Sequence, residues 1–177
     1  ANASIEVISM NDIPALTGTP APLTSGVEDS TYAIQASDLL QGYSDGDIDS
    51  QLEITALTAT GGALKEEVIG ESWIFTPNPN QSGAVALSFV ISDGEGGFVL
   101  GSTSFELAAV NDPPERLNGN VSRLSILEES GTTSLGLEGL SYGPGGGEDE
   151  LGQILTYTVV SIPDISVGRL ILANGDD

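Results

Sequence analysis

The chain repeats itself at a fixed offset, and this constrains its fold more than any other feature. Residues 2–14 read NASIEVISMNDIP and residues 102–115 read STSFELAAVNDPPE. Ser4, Glu6, Asn11, Asp12 and Pro14 therefore recur without a gap, 100 residues on, as Ser104, Glu106, Asn111, Asp112 and Pro114. At the same offset Glu28-Asp29-Ser30 is answered by Glu128-Glu129-Ser130, and Leu40 by Leu140. Solenoid units are far shorter than this period, which is the size of one β-sandwich domain. The repeat predicts tandem sandwich units joined at Asn-Asp linkers.

Local patterning agrees. Ile5 and Val7 alternate within residues 1–10 and predict a strand. Pro14, Pro20 and Pro22 make residues 13–27 an irregular edge strand, because proline cannot donate to a ladder. Thr31–Ile34 reads as a short strand, and Ser37-Asp38-Leu39-Leu40 as a helical turn with Ser37 as its cap. The loop SDGDIDS (44–50) precedes a strand over Leu52–Thr60, and Gly61-Gly62 turns the chain. Trp73 and Phe75 lie on a strand that ends in the turn Thr76-Pro77-Asn78-Pro79-Asn80. Val85, Leu87, Phe89 and Ile91 then alternate with Ala84, Ala86, Ser88 and Val90, a period-2 pattern with one strongly apolar face. Ser92–Gly97 makes a hairpin turn, and Phe98–Val110 returns to the linker.

From Pro113 the order starts again, with a strand over Ser122–Leu127, the acidic turn 128–130, a Gly-rich insertion at 143–147, and a strand at Leu155, Tyr157 and Val159. Short strands at sandwich spacing with no long amphipathic helix predict an all-β chain. The expected division is a last strand plus linker over 1–12, a complete sandwich over 13–112, and a second, truncated one over 113–177. A truncated sandwich leaves open strand edges and an uncovered apolar face, through which two chains would pair.

Charge narrows the function classes. Twenty-six carboxylates face four basic residues, for a net charge of −22. Such a chain cannot neutralise nucleic-acid phosphates and is repelled by anionic membranes. It has no apolar run long enough for membrane insertion. It also shows no charged n-region followed by an apolar h-region, so an export signal is expected outside this stretch. With no Cys and no His, thiolate and imidazole metal sites and Ser-His or Cys-His nucleophile pairs are excluded. Two carboxylates about 4 Å apart repel by roughly 1 kcal/mol in water and several-fold more near a protein surface. Crowding them is costly unless a cation sits between them. Dispersed over the surface, they serve solubility alone.

Several sharper motifs fail. Asp45-x-Asp47-x-Asp49 opens like an EF-hand, but Ser50 stands where that loop needs Gly and Ala56 where it needs Glu. The Gly-rich run 143–147 leads into Glu148-Asp149-Glu150, which would repel a phosphate. Trp73 with Phe75 reads as sandwich core rather than a sugar platform. Paired carboxylates of glycosidase type have no apolar cleft to sit in, so the chain is expected not to be an enzyme.

FVISDGEGGFVLGSTSFELAAVNDPPE resembles the closing hairpin and linker of a cadherin or bacterial cadherin-like repeat. Val27-Glu28-Asp29-Ser30, SDGDID (44–49) and the WxFTPNxNxxG stretch (73–83) resemble the tandem repeats of large bacterial surface adhesins. The resemblance implies an extracellular, cell-surface Ig/cadherin-like β-sandwich array with Ca²⁺ held where successive repeats meet. The first junction would use Asn11 and Asp12, then Asp45 or Asp47 with Asp49, and Asp93. The second would use Glu28, Asn111 and Asp112, then Glu148, Asp149 or Glu150. Ser9 and Ala109 stand where the family's linker usually carries Asp, which implies fewer ions per junction. Ca²⁺ takes six to eight hard oxygens, and an Asn-Asp pair supplies carbonyl and carboxylate together.

Three functions are compatible with these residues. One is a Ca²⁺-stiffened adhesin or spacer segment whose partners are neighbouring repeats. Another is a module that recognises a cell-surface protein or glycan through loops such as 41–50 or 142–150. The third is a metal-free structural repeat.

Overall fold

The structure, a computed structural model, describes residues 10–48, 50–120, 125–158, 160, 161 and 164. Residues 1–9 of the strand expected over 1–10, Asp49, residues 122–124 of the strand expected over 122–127, and Val159 lie outside the described residues. Two compact units are present: Ala1–Pro113 with Gly145–Leu151, and Pro114–Pro144 with Gly152–Asp177.

The first unit contains β1 (Ala15–Leu16), β2 (Gly26–Val27), β3 (Tyr32–Gln35), α1 (Ala36–Leu40), β4 (Tyr43–Ser44), β5 (Glu53–Ala59), β6 (Gly62–Val68), β7 (Ser72–Pro77), β8 (Gly83–Ser92) and β9 (Phe98–Ala108). One sheet has the order β2-β9-β8-β5 and another the order β3-β7-β6, while β1 pairs with β4. All pairs are antiparallel except β2 with β9, where Gly26 and Val27 run alongside Leu107 and Ala108. This is the layered all-β sandwich that the sequence predicts.

The core follows from the alternation on β8. Val85, Leu87, Phe89 and Ile91 are buried, and they meet Ile34 of β3, Trp73 and Phe75 of β7, and Phe105 and Leu107 of β9 in one cluster. Phe75 packs edge-on against Phe105 at 5.7 Å, and Tyr32 stacks on the same ring at 4.1 Å. Each such side chain contributes about 1.5–3 kcal/mol by leaving water. At Gly101, paired with Phe89, a Cβ would stand 2.2 Å from the ring, so the hairpin closes over Phe89 only with glycine there.

Some expectations change in detail. The helical turn starts at Ala36 with Gln35 at its N-cap and no side-chain cap bond, so Ser37 is not the cap. A tertiary contact sets the start instead: the Ala36 N–H donates to the Glu71 carbonyl, and Ala36 and Leu39 sink into the core. Gly61 makes the turn with φ 74°, and Gly62 already opens β6. The polar stretch LKEEV hid β6, which pairs only with β7 at the sheet edge. Residues 13–27 hold only the two-residue strands β1 and β2, because the prolines interrupt any longer ladder.

The second unit, taken by itself, has β10 (Glu115–Asn118) antiparallel to β11 (Ser141–Gly143). Its register sets Arg116 against Tyr142, as β1 and β4 set Leu16 against Tyr43. Glu129 at φ 62° repeats the left-handed Asp29 at φ 55°, so the acidic turn recurs as backbone geometry as well as sequence. Residues 125–127, expected to end a strand, and 155–158, expected as a strand from the alternation of Leu155 and Tyr157, are not strands. Alternation supplies a face but not a ladder partner, and among the described residues none pairs with them. Ile126, Leu127 and Ile154 are exposed.

Candidate metal centre

Two carboxylate groups form in the first unit, each built around an Asn-Asp linker. In the first group, the Asn11 amide donates to Asp93 Oδ2 at 3.0 Å, and the Asp12 N–H donates to Asp47 Oδ2 at 2.7 Å. Asp45 Oδ1 accepts the Asp47 N–H at 2.9 Å, an Asx-type turn that curls the loop. The hairpin turn then supplies Asp93 with the N–H groups of Glu95 at 2.7 Å and Gly97 at 2.9 Å. Burial pushes the Asp93 carboxyl up, but the Asn11 amide and the backbone donors of Glu95, Gly97 and Gly96 outweigh it and hold the group below its ordinary value. Asp45 Oδ2 and the Ser50 hydroxyl are buried there without a hydrogen-bond partner.

The second group is tighter. Glu28, 1% exposed, follows β2, and its backbone N–H donates to the Ala108 carbonyl at the end of β9. Its Oε1 accepts the Val110 N–H, which ties the acidic turn to the linker. Gly145–Leu151 brings Glu150, also 1% exposed, to the same place. Glu150 Oε2 accepts the Gly147 N–H at 3.0 Å, and Oε1 accepts the Asp112 N–H at 3.4 Å. One oxygen from each of Glu28, Asp149 and Glu150 lies within 4.8 Å of the others. Glu28 Oε2 and Asp112 Oδ2 are buried and accept no hydrogen bond. Burial pushes the Glu150 carboxyl up, the Asp149 carboxyl beside it adds to the effect, and the Asp112 and Gly147 N–H groups only partly oppose it.

A glycine opens space beside each linker aspartate. A Cβ on Gly46 would stand 2.6 Å from Asp12 Oδ2, and one on Gly146 2.6 Å from Asp112 Oδ2, again at the 100-residue offset. The two groups are one design used twice.

Of the residues singled out by sequence, the structure gathers Asn11, Asp12, Asp45, Asp47 and Asp93 in one group. It gathers Glu28, Asp112, Asp149 and Glu150 in the other. Asn111 is exposed and turns its amide to the Asp112 carbonyl at 3.2 Å. Glu148 is exposed, outside the converged set, and its carbonyl accepts the Leu151 N–H at 3.4 Å. Sequence reasoning did not find Gly46 and Gly146 beside the carboxylates, although their shared offset was a signal. It also did not find the Asn80 N–H on Asp29 Oδ1 at 3.0 Å.

Burying an ionised carboxylate costs several kcal/mol unless something compensates it. Among the described residues no basic side chain pairs with Glu28, Asp149 or Glu150; Lys65 is engaged with Glu67 on the surface. An all-oxygen donor set with unpartnered buried oxygens fits a hard divalent cation such as Ca²⁺.

Fold and site together define a β-sandwich repeat with carboxylate-lined linkers. The family model of the cadherin-like domain matches residues 10–108, more than half of the chain, and the chain belongs to this family. Searches of curated proteins and of solved structures give no match. Cadherin-like domains are adhesion-type repeats, usually extracellular, and they typically bind Ca²⁺. Among the described residues no helix is long and apolar enough to cross a membrane.

Proposed function

We propose that this chain is a non-enzymatic segment of an extracellular surface adhesin of bacterial type, stiffened by Ca²⁺. The ion would sit against Glu28, Asp149 and Glu150, with Asp112 beside them. The observation that carries this reading is Glu28: a carboxylate sealed from water, one oxygen without a donor, facing two more carboxylates. Without a cation the three repel, and with one the repulsion becomes attraction. The linker N–H groups of Val110 and Asp112 are hydrogen-bonded to the same carboxylates. Ion binding would thus fix the linker and the Gly145–Leu151 segment together, and a chain of such repeats would resist bending.

Trp73 at 6% exposure lies in the core cluster and so offers no sugar platform, whereas Tyr43 and Tyr142, in the loops of the ligand-binding reading, stay half-buried. Scanning calorimetry and small-angle scattering with Ca²⁺ and then chelator test the proposal. A higher melting temperature and a more extended, rod-like profile, both reversed by chelator, are expected. Unchanged values would overturn the proposal and leave the ligand-binding module and the metal-free structural repeat as the readings.

A further inference from the structure

The proline-asparagine turn after β7 is no part of the carboxylate group, yet it reaches Asp29 and Gly147 beside that group. Asn80 has φ 57°, a left-handed backbone that asparagine tolerates better than most residues but that still has to be held. Its N–H donates to Asp29 Oδ1 at 3.0 Å, and Asp29 directly follows Glu28. The turn is braced on its other side, where the Asn78 N–H donates to the Gly61 carbonyl at 2.9 Å and the Gln81 N–H to the Asn78 carbonyl at 3.1 Å. This conformation delivers the Asn80 carbonyl to Gly147. A Cβ on Gly147 would stand 2.5 Å from that oxygen and 3.2 Å from Asp149 Oδ1, so both oxygens border the space one methyl group would fill. The Gly147 N–H meanwhile donates to Glu150 Oε2.

We infer that the backbone carbonyl of Asn80 is a further ligand of the cation held by Glu28, Asp149 and Glu150, and that Asp29 is the residue that positions it. The inference rests on the calcium reading above and extends its ligand set. Chemistry favours it, because Ca²⁺ needs six to eight oxygens and a site filled by carboxylates alone accumulates charge that one ion cannot balance. A carbonyl adds coordination without adding charge. The geometry also gives Gly147 a purpose, since any side chain there would push the carbonyl away.

The test is a Ca²⁺ titration of the whole chain carrying ¹³C at its backbone carbonyls, run beside calorimetry. The Asn80 carbonyl resonance is expected to shift and to saturate together with the calorimetric isotherm. Asp29→Gly accepts the left-handed backbone but loses the anchor, and should weaken Ca²⁺ about tenfold or more. Asp29→Asn loses the same charge but keeps an acceptor, and should stay within about threefold of wild type. If Ca²⁺ binds while the Asn80 resonance stays still and the two variants bind alike, the carbonyl is not a ligand and the carboxylate site stands without it. If the unaltered chain binds no Ca²⁺, both this inference and the reading beneath it fall. Should Asp29→Gly not fold, the carbonyl shift in the unaltered chain decides the matter alone.

Discussion

Asn11-Asp12 and Asn111-Asp112 are the same dipeptide in the same linker context, and each has a glycine pressed against its aspartate. Their surroundings differ in how carboxylate oxygens are used. Around Asn11-Asp12 most of these carboxylates are held by protein donors: Asp93 accepts three hydrogen bonds, and Asp45 and Asp47 each accept a backbone N–H, although Asp45 Oδ2 is buried without one. Around Asn111-Asp112, Glu28 and Glu150 are each 1% exposed, and Glu28 Oε2 and Asp112 Oδ2 have no donor. A hydrogen-bonded carboxylate is stable as an anion without a metal. A buried one with an oxygen left without a donor, as at Glu28, gains from protonation or from a cation that completes it. The linker dipeptide therefore marks both places but does not fix the electrostatics of either; neighbouring N–H groups do.

The largest separation between the two groups is expected from Glu28→Gln. With Ca²⁺ at about a hundred times its dissociation constant, losing the ion would cost about 2.7 kcal/mol of stability. In chelator the same substitution should stabilise the protein by about 1 kcal/mol, because it removes an uncompensated buried charge while keeping an acceptor for Val110. Thermal melts of both proteins in both buffers check this reversal of sign. Asp93→Asn should show no reversal. A Glu28→Gln variant destabilised equally in both buffers would place the two groups in one electrostatic class.

Next in size is a pair of glycine substitutions. Gly146 has φ 69°, and an added Cβ would meet Glu150 Oε2 at 2.4 Å and Asp112 Oδ2 at 2.6 Å. Gly46→Ala asks only that the Asp12 carboxylate move aside. Chemical denaturation should show Gly146→Ala losing about 1–3 kcal/mol, from left-handed strain plus displaced carboxylates, and Gly46→Ala under about 1 kcal/mol. Equal losses would mean that the second group is no more tightly built than the first.

The smallest contrast is in pH. For Glu150 the folded carboxyl titrates above its ordinary value, so the metal-free folded state binds the extra proton. Its contribution to stability is present below the ordinary glutamate range and is lost as pH rises through the raised value. For Asp93 the folded value is lowered, so its contribution is present above the ordinary aspartate range and is lost as pH falls. Side-chain carboxyl NMR titration in chelator should find the two on opposite sides of the ordinary range. Asn11→Ala should move Asp93 upward and leave Glu150 unmoved.

The main body of the fold was legible because its signals are local. Alternation along Val85–Ile91 names the buried face of β8, and the repeated linker names the unit length. β6 was not legible, since an edge strand with one half-buried face can carry Lys65, Glu66 and Glu67 and still pair. At the candidate site, sequence named the acidic segments but could not choose among Glu148, Asp149 and Glu150. The turn at 148–151 sorts them: it buries Glu150, brings one oxygen of the exposed Asp149 beside it, and leaves Glu148 outside the converged set. Asp29 and Asn80 were invisible as site residues, because their part depends on left-handed backbone at both positions and a hydrogen bond across 51 residues.

The central claim is that the buried, donor-poor group around Glu28 holds Ca²⁺. Isothermal titration of Ca²⁺ into the metal-free chain and into its Glu28→Gln variant tests it most directly. The unaltered chain should give a saturable isotherm, and Glu28→Gln should lose that binding event. A flat titration of the unaltered chain, or an isotherm that Glu28→Gln leaves unchanged, would contradict it.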